Sequence, residues 1–185
     1  MEKPRGVPPA FINEGVAQYV SEYFYVKNAL GFGYDEIVRE LIKTSKYVPI
    51  GDFLPSDRFL ELRIDTRVLC ENASFIGFLL REYGSQKLQE LFKTSLIPTK
   101  EDYKFRILSD FNRVYGSTLN DLENNWKKWL LELEGNTDAA TFSEKLTDTL
   151  PEFKGKRCPS CSSFLKGEKV CPQCAFDTKI PVLIE

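Results

Sequence analysis

Apolar residues recur at helical spacing in block after block of this 185-residue chain, and nearly every block stops at a glycine or a proline. That punctuated period makes helix packed on helix the economical way to bury a core. The clearest block opens at Thr118. Leu119, Leu122, Trp126, Trp129, Leu130 and Leu133 form one face of an amphipathic helix, and Thr118 with Asp121 makes a capping box with Asp in place of Glu or Gln. Upstream, Ile12, Val16, Val20 and Phe24 fall four apart and predict a helix over about Pro9–Phe24, with Pro9 in the first turn, where its missing N–H costs nothing. Gly31-Phe32-Gly33 breaks the chain, and Tyr34–Thr44 is helical again through the pairs Ile37/Leu41 and Val38/Ile42. Pro49, Gly51 and Pro55 mark residues 45–57 as a loop. Helices follow over Asp65–Tyr83, over Ser85 to about Lys93, and over Lys100–Tyr115, with Gly84 and Gly116 as stops.

Two short segments echo one another. Arg81-Glu82-Tyr83-Gly84-Ser85 returns 32 residues later as Arg113-Val114-Tyr115-Gly116-Ser117. Two copies do not make a solenoid, which needs about three stacked units. The echo is read as the same chemistry of stopping and restarting a helix, used twice. After Leu133 the apolar residues thin out and Gly135, Asn136 and Pro151 intervene, so residues 134–156 read as a linker that holds at most a short helix near Thr141–Leu150. The chain is therefore expected to be mainly α: a helical unit over residues 1–133, the linker over 134–156, and a small cysteine module with a short β-hairpin over 157–180.

Composition narrows the chemistry. The chain has no histidine at all. That removes the Ser-His-Asp triad, the Cys-His pair and the HExxH zinc helix from what this chain can do alone. A net charge of −2 gives no global pull toward nucleic acid or an anionic membrane. No apolar run approaches the eighteen or so residues of a membrane span, and the first ten residues hold no apolar stretch of the secretory kind. A soluble, cytoplasmic protein is expected.

The strongest chemical signal lies near the C-terminus. Cys158-Pro159-Ser160-Cys161 and Cys171-Pro172-Gln173-Cys174 give C-x2-C-x9-C-x2-C. Two residues between cysteines let one tight turn aim both sulfurs at a point, and two such turns close a tetrahedral four-thiolate site. Zn2+ suits that donor set and is the expected metal, one per chain and structural; iron on four thiolates uses a similar spacing and stays open. The nine residues Ser162–Val170 allow a hairpin with Gly167 near its turn. The pattern resembles the zinc ribbons found at the termini of many proteins. Residues 151–185 carry six basic against four acidic side chains, too even a balance for phosphate binding, so no nucleic-acid partner is expected. Cys70, the fifth cysteine, sits in an apolar helical stretch and reads as a buried, inert thiol.

A second resemblance begins in the first helix. Pro9, Glu14, Gly15, Ala17 and Tyr19, with Phe11 where Trp is usual, are similar to the helix that supplies the third zinc ligand in peptidase MA-like (gluzincin) metallopeptidases. The segments Ala73–Gly84, Lys87-Leu88, Phe111–Gly116 and Leu119–Trp126 follow in the family's order, so the resemblance spans about residues 8–131. It implies a helical C-terminal subdomain, zinc-dependent peptide hydrolysis as the family activity, and Glu14 as the inherited third-ligand position. It also implies two histidines from an HExxH helix ahead of Glu14, which this chain lacks. One carboxylate cannot hold zinc against water, so the chain is expected not to hydrolyse peptides by itself.

Three accounts of that departure are open: the C-terminal part of a split or misassigned gene, a degenerate non-catalytic descendant, or a half that completes its site with a separate N-terminal polypeptide. For Glu14 the alternative is a solvated acid in the first helical turns, where the helix dipole favours it. For the whole chain the alternative is a helical adaptor that binds another protein, with the cysteine module as a second contact. No membrane partner is expected.

Overall fold

A computed structural model describes residues 9–54, 65–95, 103–148, 156–157 and 164–165. The protein is mainly helical, and divides into one unit over Met1–Leu150 and another over Pro151–Glu185. No described helix is long and apolar enough to cross a membrane. In the first unit, α1 (Ala10–Ser21) continues through a π-helical turn (Glu22–Val26) into α2 (Lys27–Leu30). Then come α3 (Tyr34–Lys43), the single turn α4 (Ile50–Phe53), the long α5 (Thr66–Thr94), α6 (Tyr103–Tyr115), α7 (Leu119–Glu132) and α8 (Thr137–Asp148).

The first half of α5 is the centre of the unit. From Cys70 to Leu79 every side chain is buried, and α1, α3, α4, α6 and α7 all pack on the helix. A helix buried on every side has no solvent face for its polar residues, so each one must find a partner inside.

The tightest contact is the crossing of α1 with α5. A Cβ added at Gly15 would lie 2.6 Å from Ile76 Cγ1 and 2.8 Å from Asn72 Oδ1; one added at Gly77 would lie 2.6 Å from Tyr19 Cε2. Each helix thus offers a glycine to a side chain of the other. This contact also sets which face of α1 is buried. Phe11, Ile12 and Gly15 are inside, whereas Val20 and Phe24, from the row spaced by four, are exposed. Four residues make more than one turn, so such a row drifts by about 40° per step and leaves the contact face within three steps.

Aromatic rings fill the space around α5. Phe75 lies edge-on to Trp126, with centroids 5.3 Å apart, and 6.3 Å from Phe111, which in turn meets Phe11 and Tyr115. Burying each such side chain contributes about 1.5–3 kcal/mol. The repeated segments meet here as well. Gly84 and Gly116 both take positive φ (81° and 68°): the first breaks α5 into two helical segments across a kink and the second ends α6, and the preceding Tyr83 and Tyr115 pack edge to face at 5.1 Å. The expected capping box is present: Asp121 N–H donates to Thr118 Oγ1 at 3.2 Å, and Thr118 N–H donates to Asp121 Oδ2 at 3.3 Å.

Two expectations change. Of the loop expected over 45–57, residues 45–54 are not simply a loop: Val48, Ile50, Phe53 and Leu54 are buried, and Pro49 starts α4 rather than breaking the chain, while residues 55–57 lie outside the described residues. The segment expected as a linker over 134–156 carries α8, which packs on α3. Asn136 Oδ1 accepts from the N–H groups of Asp138 and Ala139, both at 3.0 Å, so the residue read as a breaker is a helix cap. Ala139 is fully buried and Phe142 meets Phe32 at 5.6 Å.

In the second unit, β1 (Lys156–Arg157) pairs antiparallel with β2 (Phe164–Leu165), Lys156 opposite Leu165 and Arg157 opposite Phe164. The hairpin was expected between the two cysteine pairs. The two strands described instead bracket the first pair, and the expected turn near Gly167 lies outside the described residues.

The glycine crossing gives a direct test. Gly15→Ala is expected to cost about 1–3 kcal/mol in urea denaturation, because Ile76 and Asn72 are themselves packed and cannot withdraw. Gly51→Ala, where a Cβ would meet nothing within 4 Å, should not destabilise the protein.

Candidate functional site

Glu14 lies in the second turn of α1, half-buried, one residue before the glycine that touches α5. Among the described residues its side chain makes no hydrogen bond or ion pair. Its neighbourhood is set from α5: Asn72 Nδ2 donates to the Phe11 carbonyl at 2.8 Å, tying down the start of α1, while Asn72 Oδ1 is buried without a hydrogen-bond partner. Among the described residues no group of three or more His, Cys, Asp or Glu side chains could hold a metal ion. Cys158, Cys161, Cys171 and Cys174 lie outside the described residues. Cys70 is buried as expected, and burial pushes its thiol well above the usual range.

A polar network that the sequence reading missed runs through the core. Trp126 Nε1–H donates to Ser74 Oγ at 3.1 Å, and the Ser74 hydroxyl donates to Asp35 Oδ1 at 2.5 Å. Asp35 Oδ2 pairs with Arg81 Nη2 at 3.0 Å, and the Arg81 guanidinium lies 4.3 Å over the ring of Trp129. Helices α3, α5 and α7 are thus joined by one line of donors and acceptors. Burial raises the Asp35 carboxyl, opposed by Arg81 and by the hydroxyl of Ser74.

Beside it, Glu22 of the π-helical turn accepts the Tyr34 N–H at 2.6 Å, and Tyr34 donates its hydroxyl to Gln18 Oε1 at 3.3 Å. Burial raises Glu22 as well, with Asp35 and Glu36 adding to it against the hydrogen bond from Tyr34. Burial, then Cys70 and Glu22, push the Tyr34 phenol up to about 12. These acids are built into the packing of α1, α3 and α5. Ser74 is 1% exposed, and the groups it bonds to occupy both its donor and an acceptor position, so no substrate reaches its oxygen.

One signal in the sequence shows that polar groups are buried here, though not which residues they meet. Glu71, Asn72 and Ser74 interrupt an otherwise apolar run, and three polar residues within four positions cannot all face water when Cys70, Ala73, Phe75 and Ile76 are core residues.

Replacing Ser74 by Ala would take the only acceptor from Trp126 Nε1 and the hydroxyl donor from Asp35 Oδ1, leaving Asp35 with Arg81. A loss of about 1–3 kcal/mol is expected, read by urea denaturation followed through tryptophan fluorescence. An unchanged midpoint would mean that the network contributes nothing to stability.

No family model, curated protein or solved structure matches this chain.

Proposed function

We propose that the helical unit is the C-terminal subdomain of a peptidase MA-like (gluzincin) domain, without proteolytic activity by itself, and that the cysteine module is a zinc ribbon. The observation that carries the first part is the placement of the Glu14-Gly15 pair. Gly15 is spent on the contact with α5, and the adjacent carboxylate stays half-buried with no partner among the described residues. A half-exposed carboxylate that the packing does not use is available to a ligand, as the third-ligand position of the resemblance requires. The order of α1, α5, α6 and α7, with Tyr83-Gly84, Tyr115-Gly116 and the buried Trp126 in place, supports the same reading.

The donor sets differ in what they fit. Glu14 supplies one carboxylate, and the chain has no imidazole to join it, so these residues do not fit a catalytic zinc on their own. Four thiolates in two pairs do fit a structural zinc, and the β1–β2 pairing brings together the two sides of the segment that contains Cys158 and Cys161. Bound there, zinc would supply folding energy to a unit too small for a core of its own.

The second reading is a helical adaptor that docks another protein. It is favoured by Val20 and Phe24, which are 47% and 58% exposed one turn apart on the first helical rod.

Elemental analysis of the purified chain should find one zinc per molecule, lost when Cys158 and Cys171 are both replaced by Ser and retained in Glu14→Gln. No chelator-sensitive peptide cleavage should accompany it. Chelator-sensitive cleavage by the chain alone would overturn the first part of the proposal, and a zinc content unmoved by the cysteine replacements would overturn the second.

A further inference from the structure

Between α3 and α4 the chain crosses the outside of α5 and α7 as a strap, Ser45–Ile50, and its backbone is held by side chains from both helices. The Val48 N–H donates to Glu71 Oε1 at 3.0 Å and the Ile50 N–H to Glu123 Oε1 at 3.2 Å. Arg67 Nη1 donates to the Lys46 carbonyl at 3.3 Å. The Tyr47 ring lies 6.0 Å from that of Trp126, and Lys127 Nζ sits over the Tyr47 ring, 4.0 Å from its centroid.

Of these anchors Glu71 is the anomaly. It is fully buried, and one of its oxygens, Oε2, has no hydrogen-bond partner. Among the described residues no cation forms an ion pair with it: Arg67 and Lys127 act on it only through space, as does the opposing charge of Asp65. The Arg67 fork grips Asp65 through Nε and Nη2, and Lys127 pairs with Glu123 at 3.3 Å. Among the described residues the other titratable groups near this stretch are Cys70 on α5, Tyr47 on the strap and Asp52 on α4, with Tyr34 and Glu22 beyond Cys70. A carboxylate in that place would bury a full charge against a single N–H donor. A carboxylic acid buries only one under-satisfied polar group, which costs far less.

We propose that the Ser45–Ile50 strap is a proton-operated latch: it closes over Glu71 as the neutral acid and loosens when Glu71 gives up its proton. Opening the strap lets water reach the carboxylate and bares the Tyr47–Trp126 contact. The sign follows from linkage. Burial, foremost, raises the Glu71 carboxyl well above its ordinary 4.5 in the closed state, against the hydrogen bond from Val48, whereas with the strap open it returns toward 4.5. The closed form therefore binds the proton more tightly. Closure is complete below the ordinary carboxyl range and weakens as pH rises from there to the raised value, by about tenfold in the closed-to-open ratio per pH unit. Beyond the raised value the ratio is constant.

Native-state amide exchange on the full chain, corrected for intrinsic rates, tests this across about pH 5 to 8. Protection of the Val48 and Ile50 amides should fall with pH, while amides in the middle of α1 and α7 hold theirs. In Glu71→Gln, which keeps an acceptor for Val48 and carries no charge, strap protection should no longer depend on pH. A direct carboxyl titration by NMR should place Glu71 above the usual range; if Glu71→Gln fails to fold, this titration and the wild-type exchange series carry the test. Strap protection that is flat in the wild type, or that falls in step with α1 and α7, overturns the latch. So does a Glu71 that titrates like a solvated acid.

Discussion

The fold depends on how one fully buried helix satisfies its polar side chains. Successive residues on α5 point about 100° apart, so Glu71, Asn72 and Ser74 face three directions. Each finds its partner on a different neighbour. Glu71 takes the strap before α4, Asn72 takes the first turn of α1, and Ser74 takes Asp35 of α3 together with Trp126 of α7. Apolar packing alone would tolerate small rotations and slides of these elements around α5. Hydrogen bonds with fixed donors and acceptors do not, because a slip of one residue would leave several buried groups unpaired.

The same helix explains the tight approach of α1. Asn72 and Gly15 face each other, and Gly77 accepts Tyr19 one turn further along. Removing two side chains brings the helices close enough for the Asn72 amide to reach the Phe11 carbonyl. Apolar burial is gained and a backbone acceptor is satisfied by the same residues. Glu14 is positioned by this contact without taking part in it, and the functional proposal rests on that separation.

Much of the secondary structure was legible because it follows from local chemistry. The Thr118–Asp121 box, the glycine stops at 84 and 116 and the stripe through Trp126 depend on residues within one or two turns of each other. Where partners came from far along the chain, local reading failed. Asn136 has the composition of a loop, yet it caps α8, which is held by Phe32 and α3 about a hundred residues away in sequence. Pro49 looked like a breaker because nothing near it reveals that Glu71 and Glu123 accept the N–H groups on either side of it. The stripe on α1 was read by a spacing of four, although the glycine contact made Phe11 the buried position rather than Val20. Of the candidate site, the Glu14-Gly15 pair and the cysteine spacing could be read from the chain; the Asp35–Ser74–Trp126 line could not, since its members lie 39 and 52 residues apart.

By itself the sequence determined the helical class, most helix ends and the absence of any imidazole chemistry. Those are properties of residue type and of neighbours within a few positions. Tertiary structure alone decided which face of α1 is inside, that residues 45–54 and 137–148 belong to the core, and that three polar residues on one helix hold the others in register. Such choices depend on burial, which is a property of the assembled chain: a carboxyl or an amide takes on its energetic weight only once the surrounding helices have removed it from water.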